Sequence, residues 1–449
     1  MKRPHLQAAG RPPLGALCIV LIALCSALAS CSKPSKDLQP GSYRATLELP
    51  GRKVVPFGLD VAREESGTVL YLVNGDERVR VTEVTAQPGR FTARMPGYEN
   101  VLNATVAGGE LRGELLLVHP DDRQLKLPFS AQLGETWRFF PEPLNDNADL
   151  AGRWDVKFTD DAGRTSVGVA QLAQRFADVT GTVIMPADDQ RFLAGEVHDE
   201  ELRLSRFDGG AVVLYEGRLN DQGQLVGEMW SDRGGRQRFV ATRNPDASVD
   251  AAGIATQLRN PESGFEFAFK DLDGQVLTSS DPRFAGKVLL VTLAGSWCPN
   301  SHDEADALME LRRKYAGRGL EIVSLMFEQH RQFERAAAAV QRFRSARGID
   351  YPTLIAGPMD KSEASKILPQ LDAVRAYPTA IFIDRTGMVR KIHTGFAGPA
   401  TGVEHELLVH EFEQMIERLL AEGSEPEAAP LTGPAVEPVS VPQAGSISP

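Results

Sequence analysis

One cysteine in this sequence stands where a sulfur could react. The run Gly295-Ser296-Trp297-Cys298-Pro299-Asn300-Ser301 follows a continuous apolar stretch, Val288 to Ala294, and precedes Ala305, Leu308, Met309, Leu311 and Tyr315 at helical spacing. That order places Cys298 where a buried strand ends and a helix begins, with Pro299 at the first helical position, where a missing N–H costs nothing. Unpaired amides and the dipole at that end favour the thiolate, so the sequence predicts a lowered pKa and a nucleophilic sulfur. His302, one turn or less away, could add positive charge. The competing reading is an inert buried thiol, opposed by Trp297 and Pro299, which put Cys298 on a loop edge.

Four cysteines are present, and Cys18, Cys25 and Cys31 all fall near the N-terminus. Lys2, Arg3 and Arg11 lead an uncharged stretch from Pro12 to Ser32 that contains LGALCIVLIALCSALA, followed after Cys31 by a polar run. A positive n-region, a short apolar region and small residues before a cut make a secretory signal. A transmembrane helix is the alternative, because the stretch nearly reaches spanning length; its small-residue end is the wrong flank for stop-transfer. Leu28-Ala29-Ser30-Cys31 resembles the lipobox of bacterial lipoproteins. The resemblance implies cleavage before Cys31, acylation of Cys31 and, with Ser32 in second place, the outer membrane, facing the periplasm. Cys18 and Cys25 would leave with the signal, so Cys298 would be the free thiol of the mature chain.

The chain of 449 residues, 42% hydrophobic and 24% charged, has ordinary globular composition. At roughly 100–200 residues per domain it has room for two to four. Acidic residues (60) outnumber Lys and Arg (49), and three of those cations lie in the leader. An acidic chain repels phosphate backbones, and no basic, aromatic-interleaved stripe compensates, so nucleic acid is not an expected partner.

From Gly41 to about Asn244 short alternating apolar runs are separated by Gly, Asp, Asn and Pro, which reads as all-β. Gly41-Ser42-Tyr43 matches Gly152-Arg153-Trp154, Gly67-Thr68-Val69-Leu70 matches Gly181-Thr182-Val183-Ile184, and Glu110 to Glu114 matches Gln224 to Glu228. Two copies of one β module, 41–140 and 150–245, are expected, each a small barrel or sandwich. A spacer role without ligand stands beside a binding role. The stretch Arg243 to Gly264 then marks a boundary. Beyond it come alternating Phe265, Phe267 and Phe269, a hairpin turn at Asp273-Gly274, the strand before Cys298 and its helix. Strand Leu320 to Met326, helix Phe333 to Arg347, strand Pro352 to Ile355, helix Lys361 to Leu368, strands Thr379 to Asp384 and Met388 to Thr394, and helix Val403 to Leu420 complete an α/β unit. Residues 422–449, rich in Pro, Ala, Gly, Ser and Glu, are expected to be a disordered tail.

Trp297-Cys298-Pro299 between strand and helix, followed by Tyr377-Pro378-Thr379 before a strand ending Ile383-Asp384-Arg385-Thr386-Gly387, resembles the thioredoxin fold over 262–421. The Phe-x-Phe strand and hairpin, the long helix before Ile349 and His393-Thr394-Gly395-Phe396 are similar to the TlpA-like branch of membrane-tethered, extracytoplasmic thiol reductases. The fold class is thus multidomain: two tandem all-β modules followed by an α/β thioredoxin-like domain. The resemblance implies that Cys298 is the attacking cysteine, that Tyr377-Pro378 is a cis-proline loop facing it, and that Trp297, Pro299, Tyr377 and Pro378 line a substrate groove. It implies protein thiols or disulfides as partners and no cofactor.

Two departures bear on mechanism. The second thiol of the family's Cys-x-x-Cys is here Ser301, whose hydroxyl cannot form a disulfide. The buried acid that thioredoxins carry six residues before the first Cys is here Thr292. A monothiol exchange protein is therefore expected, with a non-enzymatic binding or scaffold protein that keeps the groove as the alternative. A one-Cys peroxidase is disfavoured by Gly-Ser-Trp before Cys298. His405 and His410, five apart and without a Cys or acidic partner, form no metal set.

Overall fold

The computed structural model describes residues 35–422 except 121–122, 143–146, 234 and 251. The leader with Cys31 and the tail after Glu422 lie outside the described residues.

The first β unit runs from Gly41 to Leu133 as nine antiparallel strands in one sheet. Alternation sets its inner face: Tyr43, Ala45, Leu47 and Leu49 of the first strand are all buried. The second unit, Gly152 to Arg243, is an eight-stranded meander whose first strand (Gly152–Asp160) pairs with its last (Gly235–Arg243), closing a barrel. The repeated Gly-x-Tyr/Trp motif has a structural basis. Gly41 and Gly152 both adopt positive φ (138° and 113°) at the start of the first strand. The aromatic two residues on is buried, and its polar atom donates to a carbonyl four residues back: Tyr43 Oη to Gln39 O at 2.9 Å, Trp154 Nε1 to Leu150 O at 3.0 Å. The copies differ at the fourth strand. Where the barrel has Leu193–His198, the first unit has Glu77–Val81 and Val84–Gln87, parted by Thr82-Glu83, and these two strands are the open edges of its sheet.

The barrel has its own core, and the first unit's core extends onto the barrel wall. Phe207, Val212 and Leu214 of the barrel belong to the apolar cluster of the first unit, with the Phe57 and Phe207 rings 5.0 Å apart. Ser205 Oγ donates to Pro56 O at 2.5 Å, and Asn74 Nδ2 to Phe207 O at 3.0 Å, so polar atoms at the seam are paired.

The third unit is a seven-stranded mixed sheet, with Val288–Ala294 flanked by parallel Leu320–Glu328 and antiparallel Thr379–Ile383. Its helices are α1 (Pro299–Tyr315), α2 (Phe333–Arg347), α3 (Lys361–Ile367) and α4 (Val403–Ala421). Val288–Ala294 is buried throughout because both faces are covered. Val288, Leu290 and Ala294 meet α1, α2 and α4, whereas Leu289, Val291 and Leu293 meet Phe265, Phe267 and the α3 side. The expected boundary is partly bound to this unit: Thr256 N donates to Thr394 Oγ1 at 2.8 Å, and Leu258 and Gly264 bridge to Leu371 and Met388.

Candidate functional site

Cys298 is the N-cap residue of α1, with Pro299 following, as the sequence predicts. Its Sγ lies 3.4 Å from Tyr377 O, and the Tyr377–Pro378 peptide bond is cis. Trp297 packs edge-on to Tyr377 at 5.9 Å and anchors its indole N–H on Phe327 O at 2.9 Å. The structure thus brings together Trp297, Cys298, Pro299, Ser301, Tyr377 and Pro378.

Two electrostatic expectations are corrected. Cys298 is only 7% exposed, not on a loop edge. Burial pushes its thiol up rather than down, partly offset by hydrogen bonding with Ser301 and by the charge of Arg233, with Asp188 adding to the rise. Desolvation of a thiolate here outweighs the helix end. His302 adds no positive charge: burial holds its pKa well below the usual imidazole range, and Arg347 pushes the same way. Its Nε2–H donates to Ser296 O at 2.8 Å, while the ring stacks on Tyr98 of the first β unit with centroids 4.3 Å apart.

A buried acid lies beside Thr292. Thr292 Oγ1 donates to Glu304 Oε2 at 2.5 Å, and Glu304, six residues after Cys298 on α1, is wholly buried with its pKa raised to about 8 by desolvation. Glu304 shares the inward stripe of Ser301, Leu308, Leu311 and Tyr315, so a carboxylate at an apolar position was the available signal. Glu328 ends the neighbouring strand and accepts from Ser296 N at 2.9 Å and Ser296 Oγ at 2.6 Å; burial raises it to about 7. Ser301, 1% exposed, accepts through Oγ from Gly295 N at 3.4 Å. Its hydroxyl therefore helps hold the loop before Cys298.

The β units cover this site. Asp189 of the barrel accepts from Asn300 Nδ2 at 2.9 Å and Gly398 N at 2.7 Å. A Cβ on Gly395 (φ 86°) would stand 2.2 Å from Ala187 O, so only glycine admits the barrel loop there. Arg191 lies between three carboxylates from three units: Glu77 at 3.0 Å, Asp208 at 2.9 Å and Asp303 of α1 at 3.0 Å. Glu99 of the first unit accepts from Arg342 at 2.8 Å and Gln329 at 3.1 Å, and pairs with His330. Tyr377 (5% exposed) and Pro378 are also buried, Tyr377 against Trp297 and Phe327 of its own unit, so the expected groove is not an open surface in this structure. Asp189, Arg191 and Glu99 carry no local sequence signal for this site, because the partners that tie them to the third unit lie more than a hundred residues away. Among the described residues no group of His, Cys, Asp and Glu is arranged to hold a metal, and no helix is long and apolar enough to cross a membrane.

Comparison with known proteins gives the same picture for the third unit. Residues 255–406 match the Redoxin family. The thiol-disulfide oxidoreductase ResA of Halalkalibacterium halodurans is 28% identical over 160 residues, 35% of this chain and 77% of that protein. The thioredoxin-like protein YneN of Bacillus subtilis is 27% identical over 130 residues, 29% of this chain and 68% of that protein. A crystal structure of a thiol:disulfide interchange protein DsbE from Chlorobium tepidum covers 36% of this chain and 99% of its own, at 21% identity and a TM-score of 0.28. The third unit, carried behind two all-β units, is thus similar to thioredoxin-like proteins and thiol–disulfide oxidoreductases.

Proposed function

We propose that this protein performs thiol–disulfide exchange through Cys298 alone, as a periplasm-facing lipoprotein held at the outer membrane by a lipid on Cys31. The observation that carries the reading is Cys298 Sγ at the start of α1, 3.4 Å from Tyr377 O, with a hydroxyl at position 301. In the step, the Cys298 thiolate attacks one sulfur of a disulfide, forming a mixed disulfide and releasing the other sulfur as thiolate. Ser301 cannot attack that mixed disulfide. An external thiolate does, giving a new disulfide and returning Cys298 as thiolate. Thiols and disulfides of exported proteins are the proposed partners, and no cofactor enters.

The test is incubation of the protein with a disulfide-containing substrate and non-reducing mass analysis. A covalent adduct at Cys298 that a small external thiol releases supports the reading; absence of any adduct rejects it. The burial of Cys298, Tyr377 and Pro378 favours a second reading, a non-enzymatic scaffold whose thioredoxin-like unit is occupied by its own β units. Under that reading no adduct forms at any pH.

A further inference from the structure

The thioredoxin-like unit does not complete the surroundings of Cys298 by itself. Arg233, on the turn between the barrel strands Gln224–Ser231 and Gly235–Arg243, reaches across the seam. Its Nη2 donates to Trp297 O at 2.9 Å and to Gly210 O at 3.0 Å, and its guanidinium sits 5.8 Å from the centre of the Trp297 ring. The carbonyl it holds belongs to the peptide whose N–H is that of Cys298. We propose that Arg233 is a positioning residue of the redox site, contributed by the second β unit, which fixes the Trp297–Cys298 peptide and supplies the cation that favours the Cys298 thiolate. The proposal rests on exchange chemistry at Cys298 and adds the barrel to it.

Arg233 is the cation whose charge is felt at Cys298. His302 is neutral, and the groups facing the sulfur are otherwise neutral or acidic: Asp188 of the barrel, Tyr377 of the cis-proline loop, and Glu328, bonded to Ser296. Glu304 lies further along α1, bonded to Thr292. Asp232, adjacent to Arg233, is nearly buried, with an oxygen 3.8 Å from Arg233 Nε. Burial raises the Asp232 carboxyl, and the charge of Arg233 lowers it. Of the charged groups around the sulfur, Arg233 favours the thiolate and Asp188 opposes it.

The experiment is the pH profile of Cys298 alkylation by iodoacetamide in the full chain. Its midpoint reports the thiolate and its high-pH plateau reports access. Arg233→Ala is expected to move the midpoint up by about half to one pH unit. Arg233→Lys is expected to restore most of that shift, and Asp188→Asn to move the midpoint the other way. An unchanged midpoint in Arg233→Ala, a Lys variant indistinguishable from the Ala variant, or a change confined to the plateau would each overturn the charge role. Arg233→Lys also serves as the folded control for the alanine variant. No disulfide substrate is present in this measurement, so its outcome is independent of whether the adduct test of exchange succeeds.

Discussion

Thr292 and Glu304 share a hydrogen bond of 2.5 Å inside the thioredoxin-like unit, linking the strand that leads to Cys298 with the helix that leaves it. A carboxylic acid is thus present at the position where the strand carries none, and its burial has a cost that depends on pH.

Glu304 and Asp303 have folded-state pKa values raised to about 8 and about 7, and Glu328 to about 7, each by desolvation first. Over the interval between the ordinary carboxylate value and these values the folded chain holds protons that the unfolded chain has released. The contribution of these three groups to stability therefore falls as pH rises from about 4 to about 8. Glu304→Gln keeps the shape without the charge and should flatten part of this decline. Denaturant titrations at pH 5 and pH 9 check it: the wild type should lose on the order of a few kcal/mol more than the variant. Equal losses in both would show that Glu304 does not carry the effect.

Ser301→Cys should convert persistent Cys298 adducts into turnover, because a neighbouring thiolate replaces a bimolecular attack with an intramolecular one of high effective concentration. Insulin-type reduction assays should show the gain, and Cys298→Ala should abolish both adducts and turnover. Adducts that persist unchanged in Ser301→Cys would mean that the 301 side chain, 1% exposed, cannot reach the mixed disulfide.

Arg191 ties Glu77, Asp208 and Asp303 across all three units. Removing it leaves buried carboxylates facing one another, a change that typically costs about 3–5 kcal/mol. Arg191→Ala should therefore lower the unfolding midpoint and, by loosening the β units from α1, raise the plateau rate of Cys298 alkylation several-fold. An unaltered plateau would show that the seam holds without this cluster.

Cys31 should carry acyl chains in protein isolated from membranes, with the leader removed. Two or more chains are expected, since one gives only marginal binding at about 0.8 kcal/mol per buried methylene. Intact-mass analysis of the N-terminal peptide decides it, and an unmodified Cys31 or a retained leader would reject the anchor.

The sequence by itself determined what depends on local pattern. Apolar alternation marked the β strands, the Gly-x-Tyr/Trp motif marked the repeat, and the run from Val288 through Pro299 placed Cys298 at a helix start, because strand period, helix period and proline's missing N–H act within a few residues. Ser301 in place of a second thiol was legible for the same reason. The tertiary structure alone decided the electrostatics and the access. Cys298 and His302 are shifted against a sulfur-activating role because residues distant in sequence bury them: Tyr98 covers His302 from 204 positions away, and the Tyr377 carbonyl meets Cys298 from 79. Desolvation is a property of everything packed around a group, and no window along the chain contains it. The open edge of the first β unit likewise follows from one two-residue interruption whose effect appears only when nine strands try to close. The β units, which matching motifs marked as a repeat, become part of the site only through the seam that Asp189, Arg191 and Arg233 make with it.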